Sequence, residues 1–265
     1  TSMTISIGDR LPAGQLTECT EFDATTACPT NPQTLDVIEQ SQGKKIIIFG
    51  IGKIADVVFW SFRELPGYSV EAFTCHNDYI KASVYWDLPV IPFEEVTKHY
   101  PPEEYELFVA IGYHDLNELR ARILADVQNK GYRLANCISL KANVSSGAKV
   151  GDNCLIMDGV SIQPCAEIGS DVFLWSNTLV AHHAKIKDHC WLASESVIGG
   201  STVINKKCFL GLNVTVGHEI EIGEKSFLGA GALVLKSSPS KSVFIERETE
   251  KLRLDSERFL KISKI

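Results

Sequence analysis

The chain has little that would tie it to a membrane, a nucleic acid or an oxidising compartment. It contains no run of about 18 apolar residues, and no apolar segment follows a basic N-terminus, so the sequence predicts neither a membrane span nor an export signal and points to the cytoplasm. Positive charge is short. The 26 Lys and Arg residues against 33 Asp and Glu leave a formal net charge of −7, which argues against nucleic acid or an anionic membrane as partner and leaves room for a small anion at a local site. The cysteines stand at 19, 28, 75, 137, 154, 165, 190 and 208, with no C-x-x-C pair and no zinc-like spacing. Reduced, mostly buried thiols are expected instead of a disulfide framework.

What is present is a repeat. Every sixth residue from Val144 to Val234 is Val, Ile or Leu, sixteen positions in succession. In a chain that is 45% hydrophobic, one frame would match by chance only roughly a few times in a million. Four residues after each of these comes a small or aliphatic one, as at Cys154, Ala166, Thr178, Cys190, Ser196 and Cys208, and glycine often follows the aliphatic residue directly, as at Gly151, Gly169, Gly199, Gly211, Gly217, Gly223 and Gly229. Short strands with a turn every six residues predict a hexapeptide β-helix whose coils stack ~4.8 Å apart, about five coils in all. Glycine is expected at its corners for unusual backbone angles. Cys154, Cys190 and Cys208 then point inward, and no insertion breaks the array.

Ahead of the repeat, "KKIIIFGIG" at 44–52 reads as a buried strand entering a Gly-x-Gly turn, and "KIADVVFWSFRE" continues with helical spacing. Gly50, Gly52 and Ala55 give G-x-G-x-x-A, a turn that lets a backbone approach a phosphate or serves as a structural turn in a scaffold of this type. Strands at 70–74 and 106–112 and a helix at 116–131 complete a small β-α-β-type domain.

The unbroken hexapeptide array resembles the left-handed β-helix acyltransferases, whose 18-residue coils form a three-sided prism and whose chains form trimers. Joined to the domain in front, it looks like the two-domain sugar acetyltransferases of the sialic-acid O-acetyltransferase and bacillosamine N-acetyltransferase type. The segments "LPVIPFEEV", "PPEEYELFVAIGYHDLNELR" and "KGYRLANCIS" are close to that family, and the likeness covers residues 44 to about 263. It implies an α/β N-terminal Rossmann-like domain (44–136) that holds a nucleotide-linked sugar, a C-terminal left-handed parallel β-helix (137–236), and a tail (237–265). The extension at 1–43 lies outside it. "ISIGDRLPAGQLTE" there resembles the opening of redoxin-type peroxiredoxins, but "KIADVVFW" at 53–60 stands where such enzymes need Thr-Pro-x-x-Cys, so no peroxidase chemistry is expected.

The resemblance implies acetyl-CoA as cosubstrate, no metal, no nucleic-acid or membrane partner, a homotrimer, and transfer of an acetyl group to an amine or hydroxyl of a sugar. Val180 points inward, so Ala181 and His182 are expected at a corner, with His183 on the next face; His218 falls at the same phase two coils, or ~10 Å, further on. In the family the catalytic histidine follows Asn-Thr by four residues, the place of His182 after Asn177 and Thr178, and His183 fills the neighbouring position. Imidazole suits the removal of a proton from an attacking amine or hydroxyl near neutral pH. The resemblance further places Gly50, Ile51, Gly52, Lys53, Asn117 and Arg120 at the nucleotide-sugar pocket. It places the backbone of Gly199 and Gly200 at the oxyanion, Leu212 and Ala230 along the pantetheine arm, and Lys236 at the CoA phosphates. His189 and His218 are expected to be incidental, and Trp175 and Trp191 to pack outer corners between subunits. Two other readings are a γ-carbonic-anhydrase-like zinc protein, for which His182 and His218 fit but Gly223 stands at the third ligand position, and a non-catalytic β-helix scaffold.

Overall fold

The computed structural model describes residues 43–263, so the redoxin-like stretch at 3–42 lies outside the described residues. The first part is a six-stranded sheet. Strands β1 (Lys44–Phe49), β2 (Tyr68–Cys75), β3 (Val84–Tyr85), β4 (Leu88–Pro92), β5 (Tyr105–Val109) and β6 (Arg133–Leu134) lie in the order β3-β4-β2-β1-β5-β6. Every pairing is parallel except β3 with β4. Helices α1 (Lys53–Arg63), α2 (Val96–His99) and α3 (Glu118–Asn129) connect the strands. Central β1 is buried on both faces, and hence almost uniformly apolar. Ile46 and Ile48 pack on one side with Ala55, Val58, Phe59 and Phe62 of α1; Ile47 and Phe49 pack on the other with Ile123, Leu124 and Val127 of α3.

From Cys137 to Phe244 the chain winds as a three-sided parallel β-helix of two-residue strands, β7 (Cys137–Ile138) to β24 (Val243–Phe244). Its three faces stack seven, six and five strands. From β7 to β23 the successive strands of a face pair at an offset of 18 residues, as Leu155 with Phe173 and Phe173 with Trp191. The six-residue aliphatic column is the interior: from Ile156 to Val234 its members are buried, while Val144 and Val150 are partly covered at the open end. The second column fills the remaining volume with small groups. Cys154, Cys190 and Cys208 point inward as expected, and the Thr178, Ser196, Thr202 and Ser226 hydroxyls each donate to a backbone carbonyl at 2.6–2.7 Å, which removes the cost of burying them. The winding continues one strand, β24, past the legible repeat. The last coil is short: Phe227 pairs with Val243 and Ile222 bridges Ser238, offsets of 16 that break the six-residue frame after Val234.

Glycine serves a different purpose from the one expected. The left-handed backbone falls three residues after each aliphatic position from Val150 to Leu228, on Asn153, Cys165, Asp171, Asn177, His183, His189, Glu195, Ser201, Lys207, Asn213, Glu219 and Lys225, with glycine only at Gly159 and Gly231 in that series. The glycines directly after the aliphatic residues have ordinary φ, but Gly151, Gly169, Gly199, Gly211 and Gly223 have no room: a Cβ on Gly199 would stand 2.6 Å from the Gly217 carbonyl carbon, and one on Gly151 2.7 Å from that of Gly169. They are there for close stacking of successive corners.

One face is apolar outside as well as inside. Its outward residues Leu155, Phe173 and Trp191 are buried beneath the front sheet, where Phe108 stacks on Phe173 at 5.8 Å. Each such side chain contributes about 1.5–3 kcal/mol of burial, which fixes the sheet to that face. The other faces carry Ser161, Lys149, Glu167 and Lys185 at the same position and stay open. After β24, α4 (Ser256–Ser263) has no buried residue. Among the described residues no helix is long and apolar enough to cross a membrane.

Candidate active site

Two separate features gather the chemistry. The first is an open cleft of about 690 Å³ at the carboxyl ends of β1 and β5, lined by Gly50, Ile51, Gly52 and Lys53 on one side and by Ile111 to Asp115 on the other. The chain leaves β1 and β5 toward opposite faces of the sheet, so the cleft opens at the topological switch point where parallel α/β sheets bind ligands. Gly50 has φ +131, and a Cβ there would lie 2.8 Å from the Ala110 carbonyl oxygen, so only glycine lets the two strand ends meet. A Cβ on Gly52 would meet nothing within 4 Å, which leaves the N-terminus of α1 facing open space.

Asn117 and Arg120 do not line this cleft; both are fully buried beneath it. Arg120 is not a solvated helix charge. Its Nε donates to both carboxylate oxygens of Asp171 at 2.9 Å, Nη1 to Asn117 Oδ1 at 3.1 Å, and Nη2 to the Asp171 and Cys190 carbonyls. Its guanidinium also lies 4.2 Å from the Phe173 ring centroid. Asp171 receives in addition Asn153 Nδ2 at 2.8 Å and contacts His189 Nδ1 at 2.9 Å, so His189 is no surface decoration. Asn153, Asp171, His189, Lys207 and Lys225 are 18 residues apart and share the left-handed corner conformation, forming one edge column of the prism. The signal for this edge was the unbroken polar character of that position at coil spacing.

The column continues to the surface through Lys207 and Lys225, which hold the two oxygens of Glu118 at 2.7 and 2.6 Å at the start of α3. Hydrogen bonds from both ammonium groups pull the Glu118 carboxyl down to about 2 from an ordinary 4.5. A depressed carboxyl stabilises the fold above its unfolded pKa, and that contribution is lost as pH falls through the folded value. Glu118→Gln is therefore expected to melt below wild type at neutral pH, with the gap closing between about pH 4.5 and 2 in thermal scans; a gap that persists at pH 2 would show that the clamp is not ionic.

The second feature is the corner of His182 and His183, which both lie within the turn; His183, at φ +58, does not begin the next face. His182 Nδ1 is 3.2 Å from His183 Nδ1, and the His182 N–H donates to Gln163 Oε1 at 3.0 Å. Gly200 is the residue one coil above. A Cβ there would come 2.7 Å from His182 Cε1 and 2.9 Å from Nε2, so glycine leaves the space that the imidazole occupies. The Gly199 N–H is spent on the Val216 carbonyl at 2.9 Å, whereas the Gly200 N–H has no hydrogen-bond partner among the described residues. Exposed His218 and Lys236 follow along this edge, while exposed Leu212 and Ala230 lie on a different edge.

Trp191 stands on a strand beneath the front sheet, 5.1 Å from Tyr113, and packs within its own subunit; Trp175 lies against it at 5.2 Å. Among the described residues no group of three or more His, Cys, Asp or Glu is placed to hold a metal ion. The His182 edge joins the two faces that the front sheet does not cover, so within one chain His182 and the cleft lie on opposite sides of the prism.

An unbroken three-sided β-helix with a parallel α/β sheet on one face is the architecture that this chain shares with solved sugar acetyltransferases of the left-handed β-helix type. Residues 135–247 match the family model of the GMPPB C-terminal domain. Among solved structures, perosamine N-acetyltransferase from Caulobacter crescentus, in complex with CoA and GDP-perosamine, is 27% identical with a TM-score of 0.68, covering 75% of this chain and 92% of that one. The acetyltransferase domain of PglB from Neisseria gonorrhoeae, with acetyl coenzyme A, shares the fold at 21% identity, TM-score 0.66, and coverage of 76% and 95%. WeeI from Acinetobacter baumannii does so at 17% identity, TM-score 0.57, with the same coverage. No curated protein matches the chain.

Proposed function

We propose that the protein is an acetyl-CoA-dependent acetyltransferase acting on an amino or hydroxyl group of a nucleotide-linked sugar, in cytoplasmic surface-polysaccharide assembly. The observation that carries this reading is His182: an exposed corner histidine braced at Nδ1, with its ring in a space that Gly200 leaves free. The perosamine N-acetyltransferase, which binds CoA and GDP-perosamine, supports it.

In this mechanism His183 Nδ1 accepts a hydrogen bond from the His182 Nδ1–H, a tautomer that leaves the lone pair on His182 Nε2. The acceptor nitrogen or oxygen attacks the thioester carbonyl while Nε2 takes its proton. The Gly200 N–H, the unspent donor at the corner, is the candidate for the tetrahedral oxyanion, which narrows the Gly199–Gly200 pair to one residue. Collapse breaks the C–S bond, and the thiol of CoA leaves with the proton from His182. Residues 44–136 act as a Rossmann-like nucleotide-sugar domain, with Gly50 to Lys53 and the N-terminus of α1 receiving the diphosphate. Leu212, Ala230 and Lys236 are assigned to acetyl-CoA.

Because cleft and base lie on opposite sides of one prism, a site that uses both draws them from different copies. A homotrimer supplies that arrangement. Exposed Val197 and Leu233 on the second face give it apolar surface to bury.

The test is thiol release from acetyl-CoA against a panel of nucleotide-linked amino sugars and free sialic acid; turnover with none of them would favour the scaffold reading. Gly200→Ala provides a sharper probe. The added methyl meets only a movable side-chain end, so a melting temperature close to wild type is expected together with a loss of turnover on the order of tenfold or more as the ring is displaced. Full activity in that variant would detach the ring position from the chemistry.

A further inference from the structure

We propose that the edge column Asn153, Asp171 and His189 of the β-helix is a positioning device for the front cleft, acting through Asn117 and Arg120. The proposal rests on the reading of that cleft as the nucleotide-sugar site.

The wall of the cleft opposite Gly50 is the segment from Ala110 to Asp115, between β5 and α3. Its end is in a conformation that L side chains disfavour: Asp115, Leu116 and Asn117 have successive φ values of +51, +50 and +66, with no glycine among them. Within the segment only two turn bonds hold this shape, the Asn117 N–H to the Tyr113 carbonyl at 3.5 Å and the Glu118 N–H to the Asp115 carbonyl at 3.1 Å. The side-chain contacts come from the β-helix and bracket the wall at both ends. Before it, Asn153 Oδ1 accepts the Val109 N–H at 2.7 Å, and Asn153 Nδ2 reaches the Val109 carbonyl at 3.4 Å. After it, Asn117 Nδ2 donates to the Cys208 carbonyl at 3.3 Å, and Asn117 Oδ1 accepts from Arg120, which is itself locked on Asp171. Arg120 Nη1 also reaches the Ile111 carbonyl within the wall, at 3.5 Å.

A buried ion pair with this many partners adds less stability than apolar packing of equal volume, and its best-attested use is to select one arrangement over others. Here the arrangement selected is that of the loop. Asn153, Asp171, His189, Asn117 and Arg120 all lie outside the cleft lining, so they are positioning residues and touch no substrate.

The decisive variant is Asn117→Gly in the full chain. Glycine accepts φ +66 without strain and deletes both side-chain links, while Arg120 keeps Asp171, so no charge is stranded. In the unliganded protein, amide exchange at 110–116 is expected to rise on the order of tenfold, with the β-helix strands unchanged. Calorimetry with GDP, UDP and dTDP is expected to show nucleotide affinity lowered on the order of tenfold and acetyl-CoA affinity unaltered. Unchanged exchange in the loop would overturn the proposal, as would an equal loss for nucleotide and acetyl-CoA. If wild type binds none of the three nucleotides, the reading of the cleft falls, and the exchange measurement alone decides whether the column positions the loop.

Discussion

Replacing His182 by alanine is expected to reduce acetyl transfer by roughly 10²–10⁴-fold, the span that general-base catalysis by a positioned side chain contributes. The fold should not change. His182 is exposed on a corner, its carbonyl keeps the Ser201 N–H through the backbone, and the interior beside it is formed by Val180 and Ala184, which the substitution leaves alone. The expected signature is therefore a fall in kcat with an unchanged melting curve and unchanged acetyl-CoA affinity. Residual turnover would reflect proximity of the bound reactants. Wild-type turnover in His182→Ala would remove the base assignment, and a fall in acetyl-CoA affinity of the same size would turn His182 into a binding residue.

The fold was legible where one period governed everything. A six-residue interior repeat admits one architecture, and the buried strand before Gly50 is nearly as direct. What escaped were features set by contact between the two parts. Asn117 and Arg120 stand in a polar stretch that reads as a ligand loop or a solvated helix face; their burial depends on Asp171, 51 residues after Arg120, and that distance leaves no local trace. The same holds for Trp191, whose outward position on a strand became interior only once Tyr113 and Phe173 were packed around it. β4 and β6 were missed because one is edged by Pro89 and Pro92 and the other is two residues long. The corner glycines were legible as corners but misread in cause, since the steric limit comes from the next coil, 18 residues away.

Asp171→Asn is the substitution expected to cost the most stability, about 3–5 kcal/mol. The shape is kept and the charge is lost, so the fully buried Arg120 guanidinium retains no counter-ion, and the amide cannot accept from Arg120, Asn153 and His189 together. Removing both charges should behave differently. Arg120→Met with Asp171→Asn removes both charges at nearly unchanged volume, with the Met side chain beside Phe173 and Trp191, and much of the lost stability should return, because no buried guanidinium is left without a counter-ion. Denaturant midpoints for the single and double variants measure the difference. A single variant within about 1 kcal/mol of wild type would mean that the pair is solvated in practice, since an exposed ion pair is worth no more than that. A double variant no better than the single one would locate the loss in the hydrogen bonds to the Asp171 and Cys190 carbonyls, and not in the uncompensated charge.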